Sequence, residues 1–375
     1  MTKPLKLIAA NDTFGALLAF TDVLDGKLAV FITPPEVNGK MPETFGLPDE
    51  VGDDVALIVE SSGSTGTPKR IEISREALLN SANASALALG SIEASSQWLL
   101  ALPINFIAGA NVLIRSVIAG NQPVMMNTSV PFTAEAFARS ASHLRADRLY
   151  TSLVPAQLKR VVDAAEADDF IRVQLAKFDA ILVGGQSVPA DIVARAHALG
   201  ANIVVTYGMT ETSGGCVYNG NPLAQVEVRI ASDGRVAIRG ATLANVATDD
   251  RGYFVTNDAG EIGDAGKLII HGRIDRVITS GGIKVSLDRV EALGAAVVGV
   301  ADIAAVAIED SEWGQRVGIA YVGSPEVADT VALALANDLG PAGKPVRILR
   351  VDTVPKLSAG KNDLQAIKKL FEEKR

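Results

Sequence analysis

With 375 residues, 48% of them apolar, the chain has room for two domains and a sizeable core and reads as globular. A formal net charge of -8 argues against nucleic acid or an anionic membrane as the main partner. Cys216 is the single cysteine, which excludes an intramolecular disulfide and suits a reducing compartment.

The first residues lead into a short apolar patch without a signal-peptide cleavage pattern, so a cytoplasmic location is expected. No apolar run is long enough to insert into a membrane; residues 292–301 are too few and broken by glycine. A helix is expected over 13–24 and a strand over 28–32, followed by a Pro- and Gly-rich connector at 33–48. From 51 to about 210, strand-like runs alternate with helical patterns. The strands are 55–59, 97–101, 123–126, 148–151, 180–183 and 203–206; the helices are 74–89, 109–119, 133–145, 155–166 and 189–199. Such alternation predicts an α/β fold of layered, largely buried sheets. Short strands at 226–230, 235–239 and 267–271, with turn signals between them, predict a small β-rich subdomain. Beyond about 276 the pattern reads as a separate small α+β unit. It comprises helices at 286–293 and 327–339, strands at 304–309, 316–322 and 346–351, and a last helix capped by Asn362 with Gln365 in a capping-box position.

The chemistry-bearing stretch that organises the chain is Ser61-Ser62-Gly63-Ser64-Thr65-Gly66-Thr67-Pro68-Lys69. It follows an apolar strand and precedes a helix N-capped by Ser74 with Glu76 in its first turn. Glycines let backbone N–H groups approach oxyanions, hydroxyls add donors and Lys69 adds positive charge, so the loop suits phosphate. Its spacing is not that of a Walker A loop. Taken alone, it reads equally as a flexible surface loop.

Two further strand ends carry polar loops: Gly184-Gly185-Gln186 after 180–183, and Tyr207-Gly208-Met209-Thr210-Glu211-Thr212-Ser213-Gly214 after 203–206. Ligands of open α/β sheets gather at such carboxyl ends. Tyr207 offers a face for a base, and Thr210 with Glu211 suits Mg²⁺ carrying phosphate. The plainer reading has Tyr207 in the core and Glu211 as a solvated acid. Lys361 lies in a small-residue loop, Pro355 to Lys361, from which it can neutralise a reacting phosphate or simply face solvent.

Together these stretches resemble the acyl-adenylate-forming family of acyl-CoA synthetases, luciferases and peptide-synthetase adenylation domains. Ser61 to Lys69 is similar to its phosphate loop and Tyr207 to Glu211 to its adenine and magnesium motif. Gly252 to Asp258 is similar to its ribose motif, Gly272 to Ile278 with Gly281 to Val285 to its hinge stretch, and Pro355 to Lys361 to its catalytic-lysine loop. The resemblance implies ATP and Mg²⁺ as cofactors and CoA as co-substrate. The 61–69 loop would then hold the β- and γ-phosphates, and Tyr207 and Gly208 would lie beside adenine, with Gly184, Gly185 and Gln186 on its other side. Thr210 would contact phosphate and Glu211 would bind Mg²⁺. Asp258 would accept from the ribose hydroxyls, aided by Arg273, with Gly281 and Gly282 also at the cofactor. It further implies an N-terminal domain over 1–274 and a mobile C-terminal domain over 275–375, hinged at Asp275 and carrying the catalytic Lys361.

The stretch from Tyr207 to Gly220, followed by Pro222 and Leu223, looks like the branch of this family that activates o-succinylbenzoate for menaquinone biosynthesis, in its short actinobacterial form. In that branch Phe106 would stand at the acyl-pocket gate, Arg115 would meet the substrate's second carboxylate, and Ser213 and Gly214 would border its ring. Departures from the family pattern are Glu60 and Arg70 around the phosphate loop, Phe106 in place of a gate histidine, Asn257 for a glycine and Arg276 for an acid. Asn362-Asp363 after the lysine and a shortened N-terminal region depart too. Two alternatives stay open: a ligase for another aryl or keto acid, or one that loads a carrier protein; and a nucleotide-binding relative without catalysis. Oligomeric state is open as well.

Overall fold

The computed structural model describes every residue except 39, 43, 45, 62–68, 91–94, 358–360 and 374–375. Among the described residues the strands form four sheets. In the first, the parallel strands Thr2–Ala9, Ala29–Thr33 and Val55–Ser61 are flanked by the antiparallel strands Glu50–Gly52 and Lys69–Ser74. The second has seven strands. Val124–Met125, Ser96–Leu100, Arg148–Leu153, Ala180–Val183 and Ile203–Met209 run parallel, and Gly214–Tyr218 and Asn221–Pro222 fold back antiparallel at one edge.

Between these two sheets lie the helices Thr13–Leu24, Arg75–Leu89 and Ile107–Ala119. They share one core with both sheets, in which Phe20, Leu78, Trp98, Ile114 and Tyr150 are buried. The opposite face of the seven-stranded sheet is covered by Ala134–Ala141, Pro155–Ala165, Asp169–Ala176 and Ala190–Ala198, which enclose a second core around Phe137, Leu158 and Phe178. The expected α/β layering is present, with the parallel strands buried on both faces. The strands Val226–Ile230, Arg235–Gly240, Phe254–Ile262 and Leu268–Arg273 make an antiparallel sheet, the expected β-rich subdomain. The fourth sheet joins Ile283–Ser286, Val277–Ser280, Gly314–Gly323, Val300–Asp310 and Arg347–Arg350. Helices Leu287–Ala295, Val327–Gly343 and Leu364–Glu373 pack on it over two cores whose members all lie beyond residue 277. No helix among the described residues is long and apolar enough to cross a membrane.

Two local expectations are corrected. The 61–69 stretch does not lead directly into a helix. Lys69–Ser74 is a strand paired antiparallel with Val55–Ser61, and only then does Ser74 cap the helix, its hydroxyl accepting from the Ala77 N–H at 3.1 Å. The alternation of buried Ile71 and Ile73 with exposed Lys69 and Glu72 is strand periodicity. The last helix is capped by Asp363, not Asn362: the Asp363 carboxylate accepts from the Ala366 N–H at 3.0 Å, while the Asn362 side chain is engaged elsewhere.

Candidate active site

Ser61 and Lys69 face each other at the end of an antiparallel pair, and residues 62–68 between them lie outside the described residues. One rung further, Glu60 meets Arg70 across the strands at 3.1 Å, and the Arg70 guanidinium lies 5.6 Å from the Phe31 ring centre. The two departures from the family pattern that flank this loop therefore compensate each other. Such a cross-strand pair, about a third exposed, is worth at most about 1 kcal/mol, so its effect is to fix register beneath the loop.

Ala180–Val183 and Ile203–Met209 are parallel neighbours, so Gly184 to Gln186 and Tyr207 to Glu211 emerge at the same edge. Gly184 has no room for a side chain: a Cβ there would sit 2.4 Å from the Thr206 hydroxyl oxygen. Gly208 is as confined, with the Gly214 carbonyl oxygen 2.1 Å from where a Cβ would stand. The turn Thr210–Thr212 is tied down by the Thr212 hydroxyl, which accepts from the Met209 N–H at 2.9 Å and donates to the Gly214 carbonyl at 2.7 Å. Glu211 is thereby held at the strand end, and its carboxylate makes no ion pair among the described residues.

The β-rich sheet brings its polar edge to this point. The Tyr207 hydroxyl donates to Asp258 at 2.7 Å, and Asp258 stands opposite Arg273 on the neighbouring strand. Burial raises the Asp258 pKa, against the Tyr207 bond and the Arg273 charge, which lower it. Tyr207 is pushed up by burial and by the adjacent carboxylate, so it stays a neutral donor. The Arg273 guanidinium itself forks onto Asp275, at 2.8 and 2.5 Å, so its influence on Asp258 is electrostatic rather than a direct bond.

Lys361, from the C-terminal chain segment, joins the same cluster. The residue keeps solvent exposure, yet desolvation of its ammonium lowers its pKa; Arg273 pushes the same way, and Asp258 and Glu211 pull it up. Lys361, Glu211, Asp258 and Arg273, distant in sequence, are thus within electrostatic reach of one another. Gly281 and Gly282 lie apart. They form the two-residue turn of the Val277–Ser280 and Ile283–Ser286 hairpin, both with positive φ, and a Cβ at Gly281 would meet the Trp313 ring at 2.8 Å.

Residues expected at the acid line a second, apolar region between the sheets. Phe106 stands immediately before the helix Ile107–Ala119, whose only charged residue, Arg115, is 8% exposed. This helix and Arg75–Leu89 grip the Gly214–Tyr218 strand at two levels. At the first, the Ser213 carbonyl accepts from the Ser81 hydroxyl at 3.0 Å and from the Asn111 amide at 2.9 Å. At the second, one helical turn along each helix, the Tyr218 hydroxyl meets the Ser85 hydroxyl at 2.8 Å and Arg115 at 3.4 Å. Arg115 also lies over Trp98, 5.0 Å from its ring centre.

The Arg115 Nε and the Ser213 hydroxyl are buried without hydrogen-bond partners, and Arg115 faces no carboxylate among the described residues. Gly214, with φ of 106°, passes so close to Asn111 that a Cβ would fall 2.3 Å from its amide nitrogen. Ser81, Ser85, Asn111, Trp98 and Tyr218 were not singled out as site residues from sequence. For Ser81, Ser85 and Asn111 the signal is the recurrence of a polar residue four positions apart within apolar helical faces; Trp98 and Tyr218, on strands, carry none. Cys216 is fully buried and its thiol is pushed up to about 12 by desolvation, which leaves it inert at neutral pH.

A profile of the family described as "AMP-binding enzyme" matches residues 16–273. A Mycobacterium tuberculosis protein described as a probable 2-succinylbenzoate–CoA ligase is 37% identical, with 98% of both chains covered. Among solved structures, Escherichia coli MenE with a bound phenylether-linked analogue of OSB-AMS superposes with a TM-score of 0.71 at 23% identity. That match covers 99% of this chain and 88% of the other. Bacillus subtilis o-succinylbenzoate CoA synthetase (MenE) in complex with OSB-AMP gives 0.72 at 22%, covering 94% and 81%. At these identities the structural likeness is one of fold.

Proposed function

Because the chain belongs to the AMP-binding enzyme family, we propose that it is an ATP-dependent acid–thiol ligase that joins o-succinylbenzoate to CoA in menaquinone biosynthesis, in the cytoplasm. The observation that carries the choice of acid is Arg115, a buried guanidinium beside an apolar region that faces no carboxylate among the described residues. A buried cation left unpaired costs several kcal/mol, which a substrate's spectator carboxylate would offset. The full-length match to the mycobacterial relative supports the same choice.

In the first step the succinyl carboxylate attacks the α-phosphorus of ATP, forming the acyl–adenylate and releasing pyrophosphate. The protein positions the two reactants and stabilises the developing charge. The 61–69 loop and Thr210 hold phosphate, Tyr207 and Gly184 to Gln186 border adenine, Asp258 receives the ribose hydroxyls, and Lys361 supplies positive charge. Glu211, a carboxylate that makes no ion pair among the described residues, fits Mg²⁺, which when bound would neutralise phosphate charge. In the second step the CoA thiol attacks the acyl carbonyl, the acyl–phosphate bond breaks and AMP leaves. Between the two steps residues 275–375 turn about Asp275, withdrawing Lys361 and opening a path for the CoA thiol.

Pyrophosphate release should be strong with o-succinylbenzoate and weak with benzoate or a fatty acid. Release with a different acid alone would keep the chemistry and discard this substrate, and silence with every acid would favour a relative that binds nucleotide without catalysis. The lysine's depressed pKa sets the pH response. Its cationic form is the active one, so adenylation persists below its pKa and is lost as pH rises through it. The alkaline limb of kcat/KM should therefore fall below the ordinary lysine value of 10.5 and vanish from the residual activity of Lys361→Arg. A limb unchanged in that variant would assign it to another group.

A further inference from the structure

Two departures from the family pattern, Arg276 just after the proposed hinge and Asn362 just after the lysine, meet at one carboxylate. Glu291 pairs with the Arg276 Nη2 at 2.6 Å, accepts from the Ala305 N–H at 2.8 Å and receives the Asn362 amide at 3.4 Å. The Asn362 amide also donates to the Ile303 carbonyl at 3.3 Å, and its oxygen accepts from the Lys356 ammonium at 2.6 Å. Those partners fix the amide's orientation, because Glu291 and the carbonyl can only accept and the ammonium can only donate. Lys356 in turn pairs with Asp302 at 2.9 Å. Next to the lysine, the Leu357 N–H donates to the Lys361 carbonyl at 2.8 Å and Lys356 bridges to Asn362, so the loop is closed at its base.

On the hinge side, Asp288 pairs with the Arg276 Nε at 2.5 Å and accepts the Arg273 N–H at 2.7 Å, so it holds the chain on both sides of Asp275. Burial favours protonation of Glu291, while the charge of Arg276 and the Ala305 bond oppose it.

We propose that Asn362 and Glu291 are positioning residues that couple the base of the lysine loop to Arg276, so that Lys361 and the hinge move as one body. This rests on the reading of Lys361 as the adenylation lysine. Rotation about Asp275 breaks the Asp288 bond to the Arg273 N–H, while the Arg276–Glu291–Asn362 chain travels intact. Without Asn362 the lysine loses its fixed approach to the phosphate, and misplacement by about 1 Å can cost up to about 10²-fold in rate.

The test uses the full chain carrying Asn362→Ala or Asn362→Asp. The aspartate keeps the shape and the acceptor for Lys356 but cannot donate, and it places a second carboxylate beside Glu291. For both variants, kcat for pyrophosphate release should fall about ten- to a hundredfold, with the KM for ATP and acid within about twofold of wild type. Thioester formation from preformed acyl–adenylate and CoA should change less than about twofold. Trypsin should cleave Asn362→Ala after Lys361 at least about fivefold faster than wild type, relative to its other sites. Equal loss of both half-reactions, unchanged pyrophosphate release, or an unchanged cleavage rate would overturn the proposal. If wild type is inactive with o-succinylbenzoate, the substrate reading fails, and the cleavage rate then decides the positioning claim alone.

Discussion

Lys361→Ala should abolish adenylation while leaving thioester formation from preformed acyl–adenylate and CoA largely intact. The physical reason is the company this side chain keeps. Its ammonium is partly desolvated and within electrostatic reach of Glu211 and Asp258, at the edge where the strand ends meet. A charge held in such a place is worth far more than one in water, because nothing has to reorganise when the transition state forms. Removing one such donor costs about 10²–10³-fold in kcat. The second step makes and breaks its bonds at the acyl carbonyl after residues 275–375 have carried Lys361 away, so it does not draw on that cation. Comparable loss in both half-reactions would contradict a lysine that serves only the first.

Arg115→Met should raise the KM for o-succinylbenzoate by roughly 30- to 1,000-fold, about 2–4 kcal/mol, with the KM for ATP nearly unchanged. Its effect on stability should run the other way. The guanidinium is buried over Trp98, with Nε unpartnered and no carboxylate in reach among the described residues. Replacing an unpaired buried charge by an apolar side chain of similar length is neutral or stabilising. A thermal melt without ligands should therefore show an unchanged or higher Tm. A variant that loses stability along with affinity for both substrates would assign Arg115 a structural role instead.

These two residues also mark how far the chain could be understood from sequence. Taken singly, Lys361 reads equally as a solvent-facing cation, and Arg115 enters only through the family resemblance; motif order, not local pattern, picks both out. The alternating strands and helices between 51 and 210 were legible because buried parallel strands are short apolar runs and their helices are amphipathic. Two of the strands missing from that reading show why they escape it. Thr2–Ala9 carries lysines at positions 3 and 6 and a proline, so no alternation shows. Gly214–Tyr218 begins with two glycines demanded by close approach to Asn111 and Tyr218, which look like loop residues in sequence. The polar contacts that organise the site, Ser81 and Asn111 on the Ser213 carbonyl or Glu291 between Arg276 and Asn362, join residues far apart in the chain. No spacing rule exposes a partnership made by tertiary packing. Asn362 illustrates this: helix-capping logic placed it at the start of the last helix, while a carboxylate 71 positions away claims its amide.

The most direct measurement is mass-spectrometric detection of the intermediate: the protein is incubated with Mg·ATP and o-succinylbenzoate without CoA, and CoA is added afterwards. The expected result is o-succinylbenzoyl-adenylate with stoichiometric pyrophosphate before CoA, converted to the thioester and AMP after it. Formation of ADP and phosphate, or thioester without any adenylate under single-turnover conditions, would contradict a two-step adenylating ligase.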